Sequence, residues 1–182
     1  YLSLHLAFYL ASWGMYRGSS FLLQKDYKVL SPVVEEVLKP EYDCLFGVAC
    51  VDLRELEVQA RLTNVYDYIA DYFHPIREEV AGREVTTPVS PVLITKILMG
   101  TLGCVPAYDR FFQDGVATYK VTTREYSLES VLRLVDFYEE HNDRLEEARR
   151  GMQCEDLTYP QMKLLDMGLW QVGFERDAGD AK

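Results

Sequence analysis

The sequence predicts an all-α fold: a single orthogonal bundle of about seven helices with little or no sheet. Three observations carry that expectation. Apolar residues recur at three- and four-residue steps over several long stretches, helix-start signals punctuate the chain at matching intervals, and only residues 116–126 have strand-like composition. With 182 residues, 48% of them hydrophobic, the chain can bury one sizeable core, so one helical domain over residues 1–176 with a frayed tail at 177–182 is expected.

The elements follow in order. Residues 2–16 are apolar, but Ser3, His5 and Ser12 interrupt them and the run falls short of the roughly 20 residues a membrane span needs. A buried or half-buried first helix is expected, and no membrane partner. Ser31-Pro32 and Ser90-Pro91 each set a capping hydroxyl before a proline suited to the first helical turn, and Asp52 with Glu55 has the spacing of a capping box. From there Leu56, Leu62, Val65, Tyr66, Ile69 and Phe73 mark one face of a long helix that His74-Pro75 should end or kink.

Gly100 and Gly103 sit where a helix would pack closely and then stop, and Asp109 follows as a cap for the next helix. Residues 116–126 read as an extended connector, with Leu45 to Val51 the one segment that could pair with them. Ser127 opens a long amphipathic helix stopped by Gly151, and Tyr159-Pro160 begins the last, with Met162, Leu165, Leu169 and Val172 as its stripe and Trp170 beside it.

Composition narrows the function classes. Acidic residues outnumber basic ones 29 to 19, a formal charge of −10, so the field of the molecule repels nucleic acid and anionic membrane. The scattered Cys44, Cys50, Cys104 and Cys154 form neither a CxxC pair nor a disulfide framework, which points to a reducing cytoplasmic compartment. His5, His74 and His141 have no metal-ligand spacing, and Gly100 and Gly103 are too apolar in context to cradle phosphate. Neither a metal nor a cofactor is expected.

Three groups remain as candidate functional residues. Asp109 stands at a helix–turn–helix joint with Tyr108 and Arg110 beside it. Arg17 ends an aromatic stretch with Trp13 and Tyr16 and precedes Ser19 and Ser20, where a guanidinium and free hydroxyls suit an anionic group. Tyr66, with Tyr68 and Tyr72, gives a tyrosine run of the kind that stacks on bases or rims a core. Each has a plain structural role too: Asp109 as an N-cap, Arg17 as a cation at a helix C-terminus, Tyr66 as core.

The run Leu102-Gly-Cys-Val-Pro-Ala-Tyr-Asp109, within residues 91–115, resembles the segment of helix-hairpin-helix DNA glycosylases in which a helix ends at glycine, a proline-containing loop follows, and an aspartate caps the next helix. The resemblance implies that Asp109 would face a nucleotide and stabilise a developing sugar cation. Thr86-Thr-Pro-Val-Ser-Pro91, by contrast, lacks the glycine turn through which that family holds DNA phosphate, and Lys96 lies inside the apolar helix rather than at the hairpin. Leu10 to Phe21 is similar to bacterial helical proteins without an assigned activity. The expected function is therefore a soluble intracellular protein-interaction or binding module without catalysis, its partner another protein or a second copy of the chain. The alternative is a glycosylase-like enzyme acting on a nucleobase through Asp109.

Overall fold

A computed structural model describes residues 1–180, and among them the fold is all helix. The α-helices are α1 (Leu2–Ser12), α2 (Ser31–Val37), α3 (Leu56–Ala81), α4 (Pro91–Thr101), α5 (Arg110–Tyr119), α6 (Leu128–Glu140), α7 (Asn142–Gly151) and α8 (Gln161–Asp180). Short 3₁₀ turns at Phe21–Gln24, Tyr27–Leu30, Pro40–Leu45 and Cys50–Arg54 join α1, α2 and α3. No described helix is long and apolar enough to cross a membrane.

Helix α4 is the centre of the molecule. Every residue from Leu93 to Met99 is buried, which for a helix requires neighbours on all sides. α1 and α3 pack against it. α3 presents Val58, Leu62, Val65, Ile69 and Phe73 on one face, and their apolar burial is the main stabilising term. α7 buries no residue at all and lies outside the core. α5 and α8 make the most intimate pair, because glycines stand where the helices cross: a β-carbon on Gly115 would strike the backbone carbonyl of Leu169, and one on Gly173 that of Phe111.

Several boundaries differ from the sequence expectation. Pro75 neither ends α3 nor stops it short of Ala81. Both Pro75 and the residue one turn before it, Asp71, are exposed, so the missing amide donor falls on the solvent side of the helix rather than in the core. Asp52 and Glu55 form no capping box: residues 50–54 are a 3₁₀ turn that Arg54 ties to Asp136 and Glu139 of α6, and Gln59 bonds back to the carbonyls of Leu53 and Arg54. The helix expected from Ser127 to Gly151 breaks at His141 into α6 and α7, which raises the helix number from about seven to eight.

Val116 to Tyr119 are helical, as the end of α5, and Lys120 stops that helix in the left-handed region at φ 54°. Residues 121–126 remain a connector without a strand partner, since Leu45 to Val51 is turn and 3₁₀ structure. The tail expected to fray from residue 177 continues α8 to Asp180, while residues 181 and 182 lie outside the described residues. Ser127 caps α6 by accepting from Ser130 N–H at 3.0 Å. Ser31 instead spends its hydroxyl on Ser3, at 3.1 Å.

Candidate functional site

Two segments that the sequence reading treated separately, Trp13–Arg17 and Asp109–Arg110, line one cleft of about 770 Å³, together with Lys96, Phe111 and Trp170. The floor is built by the turn between α4 and α5. Four bonds fix that turn: Asp166 accepts from Ala107 N–H at 2.9 Å, Thr95 accepts from Tyr108 N–H at 3.1 Å, Gln113 donates to the Tyr108 carbonyl at 2.7 Å, and Asp109 Oδ1 accepts from Phe112 N–H at 3.2 Å. Gly103 begins the turn at φ 68°, a conformation glycine adopts without strain. Asp109 is thus held rigidly as the N-cap of α5.

Its second oxygen faces Lys96, whose Nζ lies 3.2 Å from Asp109 Oδ2. The lysine side chain is only 6% exposed, and an ammonium that deep needs partners on every side. Lys96 also donates to the Trp13 carbonyl at 3.2 Å and stands 5.5 Å from the Trp13 ring centre. The same indole meets Lys163 Nζ at 5.2 Å, a second cation–π contact, and Lys163 pairs with buried Asp166 at 3.0 Å. Burial holds the Asp166 carboxyl above its ordinary range even though Lys163 and the Ala107 amide pull it down.

Tyr9 stands close by, its ring against Gly100 and its hydroxyl buried without a hydrogen-bond partner. Burial raises its phenol well above the ordinary value, and the charges of Asp166 and Asp109 add to that. Along the walls, Trp170 stacks on Phe174 with ring centres 5.2 Å apart and meets Phe111 edge-on at 5.0 Å and Trp13 at 6.5 Å. These aromatic contacts give the cleft its apolar sides.

The two arginines differ. Arg110 bonds Asp177 at 3.0 Å and lies over the Phe111 ring at 4.5 Å. Arg17 is exposed, and although its backbone carbonyl accepts from Ser20 N–H at 3.2 Å, its guanidinium forms no hydrogen bond or ion pair with a described residue. Its position is set by Gly14, which has φ 71° and no side chain: a β-carbon there would lie 2.8 Å from Arg17 Nε.

Tyr66 and Tyr108 lie elsewhere. Tyr108 is fully buried, shares a 2.7 Å hydrogen bond with Ser130 and contacts Phe112, so it serves the core and is closed to a partner. Tyr66 stacks on Tyr126 at 4.5 Å, and Tyr126 meets Tyr108 edge-on at 5.3 Å. Sequence reasoning passed over Lys96, Phe111, Lys163, Asp166 and Trp170 as site residues. A signal for two of them was present: a lone lysine in Leu93-Ile-Thr-Lys-Ile-Leu-Met99 and a lone aspartate in Leu164-Leu-Asp-Met-Gly-Leu169 are charges in apolar helices, and buried charges demand counter-charges.

Among the described residues no three His, Cys, Asp or Glu side chains converge as a metal site. Burial pushes the Cys50 and Cys104 thiols up to about 12, which keeps both protonated and poorly nucleophilic. No protein-family model, curated protein or solved structure matches the chain.

Proposed function

We propose that the protein is a soluble, cytoplasmic interaction or binding module without catalytic activity, and that it receives its partner in the cleft between Trp13, Arg17, Arg110 and Trp170. The observation that supports this reading best is the state of Asp109. One carboxylate oxygen caps α5 and the other neutralises Lys96, so the group that would have to serve a reaction is already committed to structure. Arg17, in contrast, projects into the cleft without a counter-ion.

An NMR titration tests the reading. Both tryptophans of the chain line the cleft, and their indole N–H signals report occupancy directly. Shifts on adding a panel of aromatic acids, neutral aromatics and short peptides are expected at residues 11–17, 109–111 and 170. Shifts confined to another face, with both indoles silent, would place recognition elsewhere.

A second reading, a helix-hairpin-helix glycosylase-like enzyme acting on a nucleobase, draws on the Lys96–Asp109 pair beside an open cleft. Its readout is the appearance of abasic sites in oligonucleotides carrying deaminated, alkylated or oxidised bases. None is expected.

A further inference from the structure

We infer that the cleft takes an aromatic ring bearing a free carboxylate, with Arg17 as the anion receptor and Trp13, Phe111 and Trp170 as the walls around the ring. The inference rests on the binding role proposed for the cleft and adds the chemistry of what fills it.

Charge accounting comes first. Lys96 is neutralised by Asp109 and Arg110 by Asp177. Arg17 is left as the uncompensated cation among the cleft's described residues. One guanidinium matches one carboxylate, because its planar fork donates two parallel N–H bonds to the two oxygens. A polyphosphate would bring several charges to that single cation against a formal molecular charge of −10.

Position comes second. The missing side chain of Gly14 lets the guanidinium settle against the backbone at the cleft mouth, so part of its ordering cost is met before a ligand arrives. Arg17 also borders a neighbouring cleft of about 910 Å³, but that one is lined by Ser19, Ser20, Gln24 and Arg77 and has Phe21 as its one aromatic side chain. The ring-bearing side is therefore the one with the two indoles. Aromatic side chains interleaved with charged and polar groups, in a volume of about 770 Å³, suit a ligand of one or two rings that also carries a polar group.

Third, the floor is neutral overall yet polar. Asp109 and Lys96 cancel each other's charge, so they neither repel an incoming carboxylate nor compete for it.

Two sources share this chemistry: a free aromatic acid, and the C-terminal aromatic residue of a peptide. Tryptophan fluorescence of the intact chain distinguishes them. The probes are phenylacetate, its neutral isostere phenylacetamide, acetate, and the peptide acetyl-Gly-Gly-Phe as free acid and as C-terminal amide.

Phenylacetate should change the fluorescence saturably, in the millimolar range or tighter. Phenylacetamide should bind about tenfold more weakly or worse, the loss expected for a charge-assisted hydrogen bond, and acetate should bind more weakly too because it has no ring to bury between the indoles. Tighter binding of the peptide acid than of phenylacetate identifies the peptide source; equal binding identifies the free acid. Arg17→Gln should weaken either ligand about tenfold and Arg17→Lys less, with the circular dichroism of both variants unchanged because Arg17 is exposed. Equal affinity for acid and amide, untouched by Arg17→Gln, would overturn the carboxylate assignment while leaving the cleft a binding site. Silence of both indoles to every probe here overturns the inference; silence to the wider NMR panel as well would remove the binding role.

Discussion

Lys96 Nζ and Asp109 Oδ2 lie 3.2 Å apart and connect the central helix of the molecule to the cap of α5. Asparagine caps a helix about as well as aspartate, so capping alone would make Asp109→Asn nearly neutral. The ion pair changes that expectation. With the carboxylate gone, a lysine side chain only 6% exposed keeps its charge facing the Trp13 carbonyl and indole without a counter-ion. Asp109→Asn should cost about 3 kcal/mol at neutral pH, and Asp109→Ala about 1 kcal/mol more through the lost cap. Adding Lys96→Met to Asp109→Asn should recover most of the first loss. Urea denaturation of the four proteins checks this; a neutral asparagine variant would reduce Asp109 to a cap.

The α5–α8 crossing sets the aromatic walls. Since a β-carbon on Gly115 or Gly173 would meet backbone rather than a movable side chain, Gly115→Ala and Gly173→Ala should each destabilise by about 3 kcal/mol. Gly168→Ala, on the same α8 but with open space around it, should be neutral or slightly stabilising. Melting curves of the three variants decide the point, and equal effects at all three positions would refute the close crossing.

Glu146 should contribute to stability against acid. Arg149 above all, with Gln161 and Tyr138, holds its carboxyl at about 2 against an ordinary value of 4.5, despite the opposing effect of burial. The unfolded chain therefore takes up the proton first. The stabilisation, roughly 2–3 kcal/mol, is complete above pH 4.5 and is lost as pH falls toward 2. Glu146→Gln should lower stability at neutral pH and flatten the acid limb in that window. An acid limb unchanged in the variant would assign the loss to other carboxylates.

Generic duplex DNA should not be retained at physiological salt. The formal charge is −10, and phosphate neutralisation by clustered cations supplies most non-specific affinity. A gel-shift assay over a salt series reads this. Micromolar binding with a steep salt slope would favour the glycosylase-like reading over the binding module.

Periodicity made most of the fold legible. Of the expected face of α3, Leu62, Val65, Ile69 and Phe73 are buried and Tyr66 is half-buried, whereas Leu56 in the first turn is exposed and Val58 is buried instead; Ser127 caps α6 and Asp109 caps α5. What failed was local reasoning about breaks. Pro75 does not end α3, where it and Asp71 one turn earlier are both exposed, and His141 breaks a helix that no glycine or proline announced. Tyr108 illustrates the same limit for function: beside Asp109 in sequence it looked available, yet in three dimensions it points into the core toward Ser130.

By itself the sequence determined the helical class, most of the helix faces and the N-cap at Asp109, because these depend on residues within a few turns of each other. Only the tertiary structure decided that Trp13, Arg17, Lys96, Asp109 and Trp170 share one cleft, that Lys96 is the counter-ion of Asp109, and that Arg17 is left without one. The physical reason is that burial and charge pairing are properties of packing. Whether a lysine on an apolar helix meets a carboxylate depends on which distant turn the core brings against it, and no local spacing records that choice.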